Sequence, residues 1–225
     1  IKEINLIDEQ QAKKMLENAH ELYLNRDGWL NAHNRREILE NTVSILTEKK
    51  SELALQAATE GGKPLMDSIV EADRAILGIK SAIEQMSQMT GHEIPMNLTP
   101  SSTGRMAYTY REPGGVVLAI SAFNHPLNLI VHQVIPAIAT GCPVLIKPAS
   151  STPLSCLSLV KILHESGLPK KWCQILLCSS TVAENLISDS RINFFSFIGS
   201  AKVGWYLRSK LAPGTHCALE HGGAA

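Results

Sequence analysis

Four short segments carry side chains whose type and spacing could do chemistry. In Ala122-Phe123-Asn124-His125-Pro126-Leu127, an Asn124 amide held at a strand end can donate a hydrogen bond to a developing oxyanion. The ordinary alternative is a turn residue, a role that Asn fills well. In Leu145-Ile146-Lys147-Pro148, the proline has no N–H and so ends a strand ladder. From that point Lys147 can reach ribose hydroxyls or a phosphate, or can simply be a solvated surface lysine. In Phe197-Ile198-Gly199-Ser200-Ala201-Lys202-Val203-Gly204, Gly199 and Ser200 open a helix directly after an apolar run. Backbone N–H groups and the helix dipole make such a start an anion site, and Gly199 permits close approach of a pyrophosphate. A plain helix cap by Ser200 is compatible with this. In Leu219-Glu220-His221-Gly222-Gly223, a carboxylate beside an apolar run can act as a general base, although a lone strand-end Glu is usually solvated.

These segments need elements to hold them. From Ile7 to Gln88 the pattern is helical, with Ile38, Leu39, Thr42, Val43, Ile45 and Leu46 recurring at three- and four-residue steps. Gly28 and Gly61-Gly62-Lys63-Pro64 punctuate it into three or four helices. The stripe Ile69, Ala72, Ile76, Ile79, Ile83, Met86 reads as core packing. Gly91 to Pro100 reads as a linker, and the alternation over Arg105–Arg111 as an exposed or edge strand, either unpaired or swapped with a neighbouring chain. From Pro113 short apolar runs alternate with helical segments. The predicted strands are Gly115–Ser121, Pro143–Lys147, Gln174–Cys178, Phe194–Phe197 and Cys217–Glu220. The predicted helices between them are Pro126–Thr140, Pro153–Ser166, Val182–Ser188 and Ala201–Leu211. That alternation predicts a parallel sheet covered on both faces, with ligands at the carboxyl ends of the strands, where all four segments fall.

Composition narrows the class. With 21 basic and 21 acidic residues the chain has no net charge to steer nucleic acid. No apolar run reaches membrane-spanning length, so no membrane partner is expected. The five cysteines are scattered and form no C-x-x-C pair, so they read as buried thiols in a reducing compartment rather than a zinc or redox site. His125 and His132 are seven residues apart, which is not a metal pair, and no metal is expected.

In their order and spacing the four segments resemble the cofactor-binding half of an aldehyde dehydrogenase. The resemblance runs over residues 5–225. Arg36-x-x-Leu39 and Glu60-Gly61-Gly62-Lys63-Pro64 are similar to the family's helical lead-in, and Arg111-Glu112-Pro113-Gly114-Gly115-Val116-Val117 to the entry of its first cofactor strand. It implies an α/β fold, a Rossmann-like parallel five-stranded sheet with flanking helices, preceded by an N-terminal helical segment and part of an oligomerisation arm. The expected divisions are 1–90 for the helical part, 91–112 for the linker and arm strand, and 113–225 for the dinucleotide-binding domain, with the catalytic domain absent.

The same resemblance assigns Asn124 to the oxyanion hole and Glu220 to activating the water that hydrolyses a cysteine thioester. It places Ser121, Phe123, Lys147, Ser150, Gly199, Ser200, Val203 and Gly222 around an NAD or NADP cofactor. It implies an aldehyde substrate and, when full length, a cytoplasmic homo-oligomer. No cysteine here stands in the family's nucleophile context, so the chain reads as a fragment that is inactive alone. Ser150 stands where the family commonly has a Glu that accepts from both ribose hydroxyls. Its absence removes repulsion against a 2′-phosphate and favours NADP or mixed use. Other departures are Phe123 for Trp, Ala122 for Pro, Ile198 for Thr, His221 for Leu, and Cys178-Ser179-Ser180 for a glycine-rich turn. Two other readings stand beside this one. One is a non-catalytic dinucleotide-binding or oligomer-contact module. The other is an acyl-CoA-forming or acyl-phosphate reductase, against which Glu220 argues because such enzymes need no water-activating base.

Overall fold

The computed structural model describes residues 5–223. Helix α1 (Glu9–Leu24) begins with a capping box, in which the Asp8 carboxylate accepts from Gln11 N–H and the Gln11 side chain accepts from Asp8 N–H. Helix α2 (Ala32–Glu48) is capped by the Asn31 side chain. Then follow α3 (Lys50–Gly61) and α4 (Leu65–Met86). The α4 stripe packs as expected, with Ala72, Ile76 and Ile79 buried and Ile69, Ile83 and Met86 against the same core. Two buried members of this helix are not apolar, Ser68 and Glu71, and only Glu71 is ionisable.

The segment after α4 departs from expectation. The supposed linker supplies a strand, β1 (Glu93–Ile94), that pairs antiparallel with β2 (Ala107–Tyr108), so the predicted Arg105–Arg111 strand is short and has a partner. The reason is a close approach at Gly91, where a Cβ would lie 1.4 Å from the Thr109 carbonyl oxygen. Only glycine lets the two chains meet there. The Thr109 N–H then donates to the His92 carbonyl at 2.9 Å.

The remainder is five parallel strands with intervening helices: β3 (Val116–Ile120), α5 (Asn128–Thr140), β4 (Val144–Lys147), α6 (Leu154–Glu165), β5 (Cys173–Ile175), α7 (Ser180–Ile187), β6 (Ile192–Ser200), α8 (Ala201–Arg208) and β7 (His216–Gly222). Their spatial order is β5-β4-β3-β6-β7. The third strand ends three residues before the predicted Cys178, because the Leu177 carbonyl accepts instead from Ile7 N–H at 2.8 Å. Gly199 and Ser200 form the end of β6 rather than the helix itself, with Ser200 at the N-cap of α8 and making no side-chain cap bond.

The two sheet faces carry alternate residues, as the pleat requires. Val117, Ala119, Val144 and Ile146 pack with α2 to α6, and Val116, Leu118, Leu145, Phe195 and Phe197 pack with α1, α7 and α8. Chain order reverses between β3 and β6, so the crevice above their carboxyl ends is the switch point of a doubly wound sheet. Among the described residues no helix is long and apolar enough to cross a membrane.

Candidate functional site

The strand ends around the switch point hold most of the residues singled out from the sequence. Ser121 follows β3 directly, and its N–H donates to the Lys147 carbonyl at 3.0 Å. Its Oγ is buried and has no hydrogen-bond partner among the described residues. Phe123 and Asn124 stand exposed in the turn that leads to α5. Lys147 ends β4 with only 7% of its surface exposed, and among the described residues the one hydrogen bond its Nζ makes is to the Pro148 carbonyl at 3.5 Å. Lys147 and the exposed Ser150 line one cleft of about 850 Å³, with Glu52, Leu55 and Thr59 of α3 on its far wall and Leu176 to Cys178 below.

Across the switch point lie Gly199 and Ser200, with Val203 exposed on the first turn of α8. A Cβ on Gly199 would fall 2.5 Å from the Phe197 ring, so the backbone passes close over that side chain. Ser200 pairs with Gly222 and Ile198 with Glu220 across the β6–β7 ladder. Glu220 is not in the Lys147 cleft. It opens on a second groove of about 1,090 Å³, beside Gln133 of α5 and Ser196 of β6. Parallel sheets ordinarily bury both faces. Here the β6–β7 face with Phe194, Ser196, Ala218 and Glu220 lies open beyond α5.

The family model that matches this chain is that of the aldehyde dehydrogenase family, over residues 1–225. The chain belongs to the aldehyde dehydrogenase family. It is 34% identical over 209 residues to a 3-sulfolactaldehyde dehydrogenase of Priestia aryabhattai, covering 92% of this chain and 43% of that protein. It is 36% identical over 228 residues to a lactaldehyde dehydrogenase of Methanocaldococcus jannaschii, covering 99% of this chain and 48% of that protein. Among solved structures it superposes on a glyceraldehyde-3-phosphate dehydrogenase of Methanocaldococcus jannaschii complexed with NADP, at a TM-score of 0.89 and 34% identity. That match covers 99% of this chain and 48% of the other. The chain therefore spans about half the length of the relatives it matches.

In this aldehyde dehydrogenase chain two carboxylates support the strand-end turns, and sequence reasoning gave neither a role. Glu60, at the end of α3, accepts from Leu154 N–H at 2.7 Å and Ser155 N–H at 2.8 Å, and also from the Ser155 hydroxyl. Glu71 does the same for α5, accepting from Leu127 N–H at 2.8 Å and Asn128 N–H at 3.0 Å. Each occupies the positive end of a helix whose own flanking residue provides no side-chain cap. The signal was there in α4: a carboxylate on a buried stripe demands partners.

His221, which stands for the family's Leu, points away from Glu220 as strand alternation requires. Its ring sits edge-on to Trp205 at 5.3 Å and Phe197 at 6.4 Å, and its Nε2 is buried without a partner. The ring lies against Gly204, where a Cβ would come 2.2 Å from Nε2. Gly204→Ala gains about 1 kcal/mol of helix propensity but overpacks this contact, which costs about 1–3 kcal/mol. We expect a net loss of stability in denaturant titration, recovered in Gly204→Ala/His221→Ala. Equal midpoints for the native protein and Gly204→Ala would remove this account of the glycine.

Proposed function

We propose that the protein from which this chain comes is an NAD(P)-dependent dehydrogenase that oxidises an aldehyde to a carboxylic acid. The observation that carries the reading is that Asn124, Lys147 and Ser200 stand at or just beyond strand ends around one switch point, with Glu220 on the neighbouring edge strand in a second groove, in a chain matched along its length by the family. The named relatives act on lactaldehyde, 3-sulfolactaldehyde and glyceraldehyde 3-phosphate, each with a hydroxyl beside the aldehyde carbon. A short 2-hydroxyaldehyde is therefore the proposed substrate class. Residues 1–90 and 113–225 form the proposed cofactor half and 91–112 the oligomerisation arm. The nucleophilic cysteine is proposed to come from outside residues 1–225. The proposed setting is a cytoplasmic homo-oligomer, in keeping with five free thiols.

A nicotinamide dinucleotide fits the residues present, because it would satisfy groups that are otherwise orphaned. Lys147 and Ser150, which line one cleft, would hold the adenosine ribose, and the buried, unpartnered Ser121 Oγ lies on the strand end paired with Lys147. The uncapped N–H groups at the start of α8 would hold the pyrophosphate, with Val203 and Phe123 giving apolar contact and Gly199 and Gly222 leaving room. The bound cofactor supplies the hydride acceptor. Asn124 donates its side-chain N–H to the oxygen of the attacked aldehyde, where negative charge develops. Glu220 takes the proton from water as it attacks the acyl group.

Ser150 sets the expected cofactor preference. With no carboxylate at this position, a 2′-phosphate meets the Lys147 ammonium without repulsion from residue 150. Titration of the complete protein should give NADP affinity equal to or above that for NAD, and Ser150→Glu should move the ratio toward NAD by about tenfold, which is about 1.4 kcal/mol. An unchanged ratio in Ser150→Glu would take the ribose role away from Ser150. For the wider reading, the decisive experiment is cofactor reduction by the complete protein over a panel of 2-hydroxyaldehydes. Absence of turnover with every aldehyde would leave it without support.

A further inference from the structure

We propose that Lys63 and Glu71 are positioning residues, a buried ion pair that fixes the turn bearing Asn124. The proposal rests on the oxyanion role given to Asn124 above. The Glu71 side chain is fully buried and the Lys63 side chain is 13% exposed, with Nζ 2.6 Å from Glu71 Oε2. Glu71 Oε1 takes the two N–H groups of Leu127 and Asn128, which leaves Oε2 for the lysine.

Lys63 goes further than neutralising the cap. An ammonium has three N–H donors and no acceptor. One donates to Glu71 Oε2, one to His125 Nδ1 at 3.0 Å, and one to the backbone carbonyl of Asn124 at 3.4 Å. The Lys63 contact is a hydrogen bond in the tautomer that leaves His125 Nδ1 as an acceptor. The half-exposed ring also lies with Nδ1 3.6 Å from Glu71 Oε2. Asn124, His125, Leu127 and Asn128 are thus all tied to one charge pair.

The Glu60 cap of α6 provides the contrast. It accepts from two backbone N–H groups in the same way, yet among the described residues no lysine or arginine pairs with it. A helix cap alone does not need the cation. At α5 the cation reaches upstream of the helix, to the residue that carries the amide. That amide is left exposed and makes no hydrogen bond of its own among the described residues, so the pair holds its backbone while leaving its donor free. An oxyanion donor works only when its geometry is set before reaction, and small misplacements cost rate steeply.

The test uses the complete protein and compares Asn124→Ala, Lys63→Met and the double variant. Asn124→Ala should lower kcat by about 100- to 1,000-fold. Lys63→Met should lower it by about 10- to 100-fold, with a much smaller loss of NADP affinity, because Lys147, Ser150 and Ser200 lie on other elements and only Phe123 shares the loosened turn. The double variant should be no slower than Asn124→Ala, since Lys63 acts through that residue. Losses that multiply would overturn the proposal. Hydrogen exchange gives an independent reading: the 124–130 backbone should exchange faster in Lys63→Met, and unchanged protection would also overturn it. If Lys63→Met does not fold, Glu71→Gln, which keeps the side-chain shape and one acceptor oxygen, carries the same two measurements. Asn124→Ala with unchanged kcat would remove the oxyanion role beneath the proposal. The exchange result then tells a failed role from a failed clamp.

Discussion

A polypeptide of residues 1–225 alone will reduce neither NAD nor NADP when mixed with aldehydes, at any pH at which it stays folded. Covalent oxidation needs a thiolate within reach of the carbonyl. Cys142, Cys156, Cys173 and Cys178 are buried. Burial pushes the Cys173 thiol up to about 12 and holds Cys156 well above the ordinary thiol value. Burial also raises Cys178, although the nearby Lys147 ammonium works against it. At neutral pH a thiol with a pKa near 12 is ionised in roughly one molecule in 10⁵. Raising the pH does not rescue it. A folded-state pKa above the unfolded value contributes stability that is intact below about 9 and is lost as pH rises toward about 12. Alkaline conditions therefore favour unfolding over activation. Cys217 is the half-buried exception, but its side chain lies on the sheet face opposite to Glu220. The check is absorbance of reduced cofactor over aliphatic and aromatic aldehydes, with alkylation mapping of the thiols, in which Cys217 should react first. Turnover that disappears when one of these five cysteines becomes Ala would overturn the expectation.

What the sequence made legible follows from how locally each feature is specified. Strands β3 and β4 lie within the predicted limits because central parallel strands are unbroken apolar runs, here punctuated by Gly115 and by Pro143 and Pro148. The helix after β5 begins two residues before the predicted Val182, because Ser179 caps it by accepting from Val182 N–H. The β1–β2 ribbon was not. Its pairing depends on contact between Gly91 and Thr109, and two residues of strand leave no period to read. The separation of Glu220 from Lys147 into different grooves was also illegible, because it depends on which face of β7 meets α5. The roles of Glu60 and Glu71 are not legible in the sequence, since each acts on a helix whose first turn lies 56 or more positions later. Supporting groups of this kind satisfy buried amides, and only the packed structure reveals which amides those are.

Glu220→Gln in the complete protein should leave the first turnover intact and slow every later one. Gln keeps the size of the side chain and its place opposite Ile198 in the β6–β7 ladder, but it cannot take a proton. Nothing about cofactor or aldehyde binding depends on that proton, because Lys147 ends β4, Ser150 lies in the turn after it and Ser200 ends β6. Hydride loss from the first aldehyde should therefore give a burst of about one reduced cofactor per active site. Hydrolysis of the acyl group then lacks its base and should fall by about 100- to 10,000-fold. The carboxylate suits the task by position. It stands exposed on an open sheet face, in a groove lined by Phe194, Pro136 and Ala137, where water can reach it. Rapid mixing would record the burst, and intact-protein mass would show the trapped acyl adduct. Hydroxylamine, which attacks a thioester without help from a base, should restore turnover in Glu220→Gln. Undiminished steady-state turnover would show that another group activates the water. Loss of the burst as well would place Glu220 in the first half of the reaction, beside the aldehyde rather than the water.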